Sequence, residues 1–112
     1  MSQITSHILD TTKGKPAQGV LILLFLQDKN DWKEIGRSIT NSDGRATDLL
    51  ENNTVAQPGI YKLKFETKSY YDQQSIKSFY PFVEIVFEIT GEEHYHVPLL
   101  LNPFGYSTYR GS

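Results

Sequence analysis

Hydrophobic and polar residues alternate with a period of two along much of this chain, which is typical of β-strands with one buried face. In IYKLKFET, Tyr61, Leu63 and Phe65 lie on one face, and lysine and glutamate side chains lie on the other. FVEIVFEIT alternates in the same way, with both of its glutamates on one face. VLILLFLQ is apolar at all but its last position, so we expect a strand that is buried on both faces.

Turn sequences separate such segments at the spacing of an all-β sandwich. The turn segments are TTKGKPAQG, DKND, NSDG, QPG and NPFG. The predicted strands are SQITSHILD, VLILLFLQ, WKEIGRSIT, RATDLL, IYKLKFET, FVEIVFEIT, HYHVPLLL and FGYSTYR. Only KSYYDQQSIKS favours a helix, of about two to three turns at most. The pattern therefore predicts one all-β domain over residues 1–112, with two packed sheets and one short helix.

The amino-acid composition excludes several kinds of functional site and binding partner. The chain has 112 residues and a formal charge of −2. It contains no cysteine, which excludes disulfides, thiolate metal sites and a cysteine nucleophile. Without a broad basic surface, nucleic acid is not an expected partner. The strongest apolar run, VLILLFL, is far shorter than the ~20 residues that span a bilayer, and the first residues do not resemble a secretion signal. We expect a cytoplasmic protein with no membrane partner.

The three histidines are the clearest candidates for chemistry. His7, His94 and His96 all fall on predicted strands, and strand alternation places His94 and His96 together on the face opposite the apolar one. Three interpretations stay open from the pattern alone. The pair could be exposed polar residues, or zinc ligands completed by His7, Glu92 or Glu93. It could also supply a general base, because imidazole takes up a proton near neutral pH.

Five segments of the chain resemble, in order, the transthyretin-like family, from Ser6 to Ser112. They are SHILDTTKGKPAQGV, TNSDGR, GIYKLKFETKSYY, FYPFVEIVFEI and HYHVPLLLNPFGYSTYRGS. The closing YRGS resembles the signature of the 5-hydroxyisourate hydrolase branch of that family, rather than the hormone-carrying transthyretin branch. The chain is thus expected to be a member of the enzyme branch.

The resemblance implies a sandwich of two four-stranded sheets with one short helix. It also implies a homotetramer whose sites lie at the dimer–dimer interface. The implied reaction is hydrolytic ring opening of 5-hydroxyisourate to 2-oxo-4-hydroxy-4-carboxy-5-ureidoimidazoline in urate catabolism, without metal or cofactor. The alternative within the family is a non-catalytic carrier of an aromatic small molecule.

The resemblance also implies which residues act. His7 of HILD, Arg45 of DGR and the second histidine of HYHVPLL, His96, correspond to the family's catalytic residues, and the carrier branch has other residues there. His94 is a neighbour of a site residue and has no role carried over. The final segment is expected to turn inward to the site, where a terminal carboxylate would add an acceptor. The substrate-binding residues implied are His7, Arg45, His96, Tyr109, Arg110, Gly111 and Ser112.

Overall fold

Two sheets packed on a shared apolar core make up the computed structural model, which describes residues 2–112. The strands are β1 (Ile4–Asp10), β2 (Lys15–Pro16), β3 (Leu21–Asp28), β4 (Asp31–Ile39), β5 (Arg45–Ala46), β6 (Gly59–Phe65), β7 (Val83–Ile89), β8 (Tyr95–Asn102) and β9 (Gly105–Thr108). The helix α1 is Thr67–Asp72, shorter than the predicted segment. No helix in residues 2–112 has the length and apolar character needed to span a membrane.

The strand order confirms the predicted sandwich. The first sheet has the order β2-β1-β8-β9, with the two-residue strand β5 also paired to β1. The second sheet has the order β4-β3-β6-β7. The main path of each sheet therefore has four strands, and β5 is a short addition to the first.

Alternation positions the core as the sequence predicts, with one exception. On β6, Tyr61, Leu63 and Phe65 are buried, and on β7 the glutamates face outward. The strand β3 has only one fully buried face, because Leu21 and the other odd-numbered residues up to Phe25 are half-buried. The predicted burial on both faces of VLILLFLQ therefore holds for one face only.

The first sheet contains a parallel pair, β1 with β8, while its other pairs and those of the second sheet are antiparallel. In this register Thr5 lies opposite His96, and His7 lies opposite Pro98. A parallel pair needs a long crossover connection, and here most of the domain serves as that connection. The pairing brings the first and last predicted site segments side by side.

The NSDG turn places Arg45 next to β1. The backbone N–H of Gly44 donates to the carbonyl of Asn41 at 2.8 Å, and Oδ1 of Asn41 accepts from the backbone N–H groups of Asp43 and Arg45 at 2.9 and 3.1 Å. This Asx-type turn is the role expected of Asn, Asp and Gly in such a sequence. The predicted strand RATDLL is reduced to β5, in which Arg45 lies opposite His7.

Replacement of Gly44 by alanine should destabilise the fold more than replacement of Gly14. Both glycines have positive φ, +72° and +67°, so alanine costs about 1–2 kcal/mol at either position. At Gly44 a Cβ atom would also lie 2.6 Å from the carbonyl oxygen of Ile8, whereas at Gly14 nothing lies within 4 Å. Urea denaturation of the two variants measures the difference. Equal losses of unfolding free energy would contradict the close packing of this turn on β1.

Candidate active site

His7 and His96 form a hydrogen-bonded pair on the outer face of the first sheet. Nδ1 of His7 lies 2.8 Å from Nε2 of His96. The ring centroids are 5.0 Å apart and the planes differ by 19°, so the rings meet edge to edge and nearly coplanar. This orientation points a ring N–H of one histidine at the lone pair of the other, as a hydrogen bond requires.

Thr5 extends this pair to the third histidine. Its Oγ1 lies 2.7 Å from Nδ1 of His96 and 2.8 Å from Nε2 of His94. Thr5 is buried, whereas His94 is exposed and directly precedes β8. Thr5 was not among the site residues predicted from the sequence. Its position two residues before His7 puts it on the same face, but its partner depends on the register between β1 and β8.

A pocket of about 320 Å³ opens beside these residues. Arg45, exposed on β5, lies in its wall. The full lining is Thr5, Ser6, Arg45, Thr47, His94, His96 and Ser112. His7 joins this group through its hydrogen bond to His96 and its position opposite Arg45. The three residues expected to be catalytic therefore lie together.

Both paired imidazoles are neutral at pH 7. Burial, together with charge repulsion from His7, Arg45 and His94, lowers the pKa of His96 to about 4. Burial, followed by repulsion from Arg45, also lowers the pKa of His7. A neutral imidazole can accept a proton, so the environment keeps both rings in the form that a general base needs.

The C-terminal segment covers His96. The backbone N–H of Gly111 donates to the carbonyl of His96 at 2.8 Å. A Cβ atom on residue 111 would lie 2.7 Å from Cδ2 of His96, so the close approach requires glycine. As a result His96 is only 8% exposed, and the interpretation of both histidines as exposed polar residues is wrong for His96.

Tyr109 and Arg110 lie apart from this pocket in the single chain. The guanidinium of Arg110 is 4.6 Å from the ring centroid of Tyr95, and its Nη2 is 3.7 Å from Oε2 of Glu93. With Tyr109 it lines a second, mainly apolar groove of about 260 Å³ along β7. His96 contributes to the walls of both cavities. Of the closing tetrapeptide, Ser112 reaches the pocket and Gly111 lies against His96.

The zinc interpretation required a third ligand beside His94 and His96. Within residues 2–112 no group of three histidine, aspartate or glutamate side chains is placed to hold a metal ion. Both ring nitrogens of His96 are instead engaged by Thr5 and His7. The donor set that a zinc site would need is therefore not formed by these residues.

The lowered pKa values make folding stability depend on pH. Between pH 6.5 and about 4 the unfolded chain binds more protons than the folded chain, so the free energy of unfolding falls as the pH falls through this window. The shift of His96 alone corresponds to about 3 kcal/mol. Urea denaturation at pH 7, 5.5 and 4.5 should show this loss. A His96→Gln variant should show a shallower dependence, and an unchanged slope would contradict the assignment.

The contact between Gly111 and His96 can be tested by NMR titration of the histidine Cε1–H signals. In Gly111→Ala the tail must move away from His96, so the ring becomes hydrated and its pKa should rise from about 4 towards 6.5. Gly105→Ala is the matched control, because a Cβ there meets its nearest atom at 3.6 Å. An unchanged His96 pKa in Gly111→Ala would show that the tail does not shield this ring.

Comparisons with known proteins agree with this architecture. The 5-hydroxyisourate hydrolase of Mus musculus is 47% identical over 114 aligned residues, covering 99% of this chain and 96% of the mouse protein. The structure of 5-hydroxyisourate hydrolase from Klebsiella pneumoniae matches with a TM-score of 0.85 and 32% identity, covering 97% of this chain and 98% of that one. Sea bream transthyretin in complex with thyroxine matches with a TM-score of 0.91 and 30% identity, covering 98% and 95%.

The family itself is identified over nearly the full length. The model of the HIUase/Transthyretin family, in which HIUase denotes 5-hydroxyisourate hydrolase, matches residues 4–111. This range includes β1, β5, β8 and β9, which carry or adjoin the paired histidines and Arg45. The chain therefore belongs to the HIUase/Transthyretin family.

Proposed function

We propose that this protein is a 5-hydroxyisourate hydrolase that opens the ring of its substrate to 2-oxo-4-hydroxy-4-carboxy-5-ureidoimidazoline. The observation that carries the proposal is the neutral, hydrogen-bonded pair His7–His96, with Arg45 opposite His7 and in the wall of the pocket that His96 also lines. The similarity to the mouse enzyme supports it over most of both chains. The reaction needs a base for water, a group to stabilise an oxyanion, and a surface that orients a flat polar ring.

The base is assigned to His7. Its Nδ1 is engaged with His96, while its Nε2 makes no hydrogen bond to any residue of the described chain 2–112. If Nδ1–H of His7 donates to Nε2 of His96, the lone pair of Nε2 on His7 is available to accept a proton from water. His96 fixes the tautomer and orientation of His7. Burial and, to a smaller extent, repulsion from Arg45 lower the pKa of His7 and keep it unprotonated until water is deprotonated.

Arg45 is assigned to the developing negative charge. When hydroxide adds to the substrate's amide-like carbon, charge moves to the attached oxygen. A planar guanidinium can donate two parallel hydrogen bonds to such an oxygen and its neighbour, and it stays charged throughout. Its position on β5, opposite His7 in the register, puts base and oxyanion partner on adjacent strands. The mechanism assigns no step to a metal or cofactor.

The closing segment and the assembly complete the proposal. We assign substrate binding to His7, Arg45, His96, Tyr109, Arg110, Gly111 and Ser112 in a homotetramer with sites at the dimer–dimer interface. Since Arg110 contacts Glu93 and Tyr95 in the single chain, its contact with substrate requires a moved tail or a neighbouring subunit. The single-domain organisation over residues 1–112, the cytoplasmic location and the lack of a nucleic-acid partner stay predictions.

The second candidate function is that of a carrier. It is favoured by the similarity to sea bream transthyretin, which was solved with thyroxine. Fold similarity alone does not separate the two functions, because the hydrolase structure matches with a comparable TM-score. A carrier has no need of a neutral histidine pair beside an arginine. Calorimetric titration with thyroxine tests this alternative directly, and tight binding without any hydrolysis would favour it.

Activity can be tested by generating 5-hydroxyisourate with urate oxidase and following its absorbance with and without this protein. The wild type should accelerate the decay. His96→Ala and Arg45→Gln should each lower the catalysed rate by about 100-fold or more, because each removes a proton-transfer or charge-stabilising group.

Arg37→Gln is the matched control for Arg45. Arg37 is an exposed arginine of β4 in the second sheet, ion-paired to Glu34 at 2.8 Å, so its loss should leave the rate near wild type. Size-exclusion chromatography shows whether each variant keeps the wild-type assembly. Near-wild-type turnover in correctly assembled Arg45→Gln or His96→Ala would remove that residue from the mechanism.

A further inference from the structure

A series of hydrogen bonds continues past the pair His7–His96, and this continuation has no role in the proposed mechanism. From Nδ1 of His7 it passes through both ring nitrogens of His96 and Oγ1 of Thr5 to Nε2 of His94, with spacings of 2.8, 2.7 and 2.8 Å. Thr5 is 3% exposed and His96 8% exposed, whereas His94 is exposed. This series of hydrogen bonds therefore leads from His7, the proposed base, through buried groups to the protein surface.

The donor and acceptor roles along this chain are coupled. A neutral imidazole has one N–H, and a hydroxyl has one O–H. If Nδ1–H of His7 donates to His96, then His96 must donate from Nδ1 to Thr5, and Thr5 donates to Nε2 of His94. In the opposite arrangement all three bonds reverse together. One proton shifts in each of the three bonds between the two arrangements, as in a proton wire. The shift keeps His7 neutral only if Nε2 of His7 takes up a proton, and it then leaves one extra proton on His94.

We propose that Thr5 and His94 form a proton relay for the hydrolysis, a role that rests on the proposed function. Nε2 of His7 takes a proton from water, and the resulting hydroxide attacks the substrate. Nδ1 of His7 passes its proton to Nε2 of His96, which passes the proton on its Nδ1 to Oγ1 of Thr5. Thr5 passes its own proton to Nε2 of His94. The net transfer is one proton from water to His94, which becomes the imidazolium.

Burial and charge explain why the proton should rest at His94. A positive charge on His96 would be buried and would face Arg45 and His7, so the protonated form of His96 has a high free energy. The concerted shift leaves His7, His96 and Thr5 neutral before and after the step. His94 holds the charge where water can solvate it, or returns the proton by the same route to the leaving nitrogen. Thr5 and His94 thus act on the reaction only through His96 and His7.

Two other roles for these residues predict different results. Thr5 and His94 could merely hold the ring of His96 in place. Alternatively His94, which lies in the pocket wall, could contact substrate itself. Loss of a substrate contact changes KM. Loss of a relay residue instead changes kcat and the number of protons that move in the rate-limiting step. The test therefore separates kcat from KM and counts protons by solvent isotope effects.

The first experiment compares Thr5→Val with Thr5→Ser in the 5-hydroxyisourate assay. Valine keeps the β-branched shape of threonine but removes the hydroxyl, so kcat should fall about 10-fold or more with KM nearly unchanged. Serine keeps the hydroxyl and should retain most of the wild-type kcat. In mixtures of H2O and D2O the wild-type rate should curve with deuterium fraction, as several moving protons require, and Thr5→Val should give a straighter dependence.

The second experiment uses chemical rescue at the exposed end. His94→Gly should lose kcat, and added imidazole should restore part of it by occupying the vacated space next to Thr5. The double variant Thr5→Val/His94→Gly should not be rescued, because the link to His96 is broken. Imidazole with no protein and imidazole with wild type give the background rates to subtract.

The outcomes separate this inference from the proposed function. A wild type that does not accelerate 5-hydroxyisourate decay would refute the function itself. With an active wild type, the relay is refuted by wild-type kcat in Thr5→Val, or by equal losses in Thr5→Ser and Thr5→Val. A His94→Gly variant that raises only KM, or that imidazole does not rescue, also refutes it. Rescue by imidazole that persists in the double variant Thr5→Val/His94→Gly also refutes the relay.

Discussion

The parallel pairing of β1 with β8 is the constraint on which the candidate site depends. It sets Thr5 opposite His96 and places His7 on the same face. Because side chains alternate along a strand, a slip by one residue would turn Thr5 and His7 into the core and bring Ile4 and Ile8 out to water. The register of the site is therefore fixed by apolar burial on the opposite face, where Ile4 and Ile8 are fully buried. The pairing of β1 with β8 therefore positions both the core residues and the candidate site residues.

Burial of His96 links stability to chemistry. The Gly111 backbone covers the ring, and charge repulsion from His7, Arg45 and His94 adds to the penalty on its charged form. Such a ring contributes to folding only while it is neutral, which is also the form in which it can orient a base. The cost of desolvating a polar group is offset because both ring nitrogens are hydrogen-bonded. The same packing thus supports the fold and the proposed proton transfer.

Local pattern in the sequence predicted the alternating strands IYKLKFET and FVEIVFEIT and the NSDG turn, because each depends on neighbouring residues alone. It overestimated RATDLL, since only Arg45 and Ala46 pair with β1. The grouping of His7, Arg45 and His96 came from the family resemblance rather than from spacing. Thr5 was missed because its hydroxyl acquires its partners only across a register between distant segments. The ring contact of Arg110 with Tyr95 depends on the path of the tail, which periodicity does not describe.

The distance in sequence between Thr5 and His96, 91 positions, also sets an order in time. Closing so long a loop costs on the order of 4 kcal/mol of chain entropy before any contact compensates for it. Hairpins such as β3–β4 close over a few residues and can form much earlier, while distant pairing slows folding. During synthesis, β1 and β5 emerge with His7 and Arg45 long before β8 exists to join them. The candidate site is therefore complete only after β8 has paired with β1, late in folding.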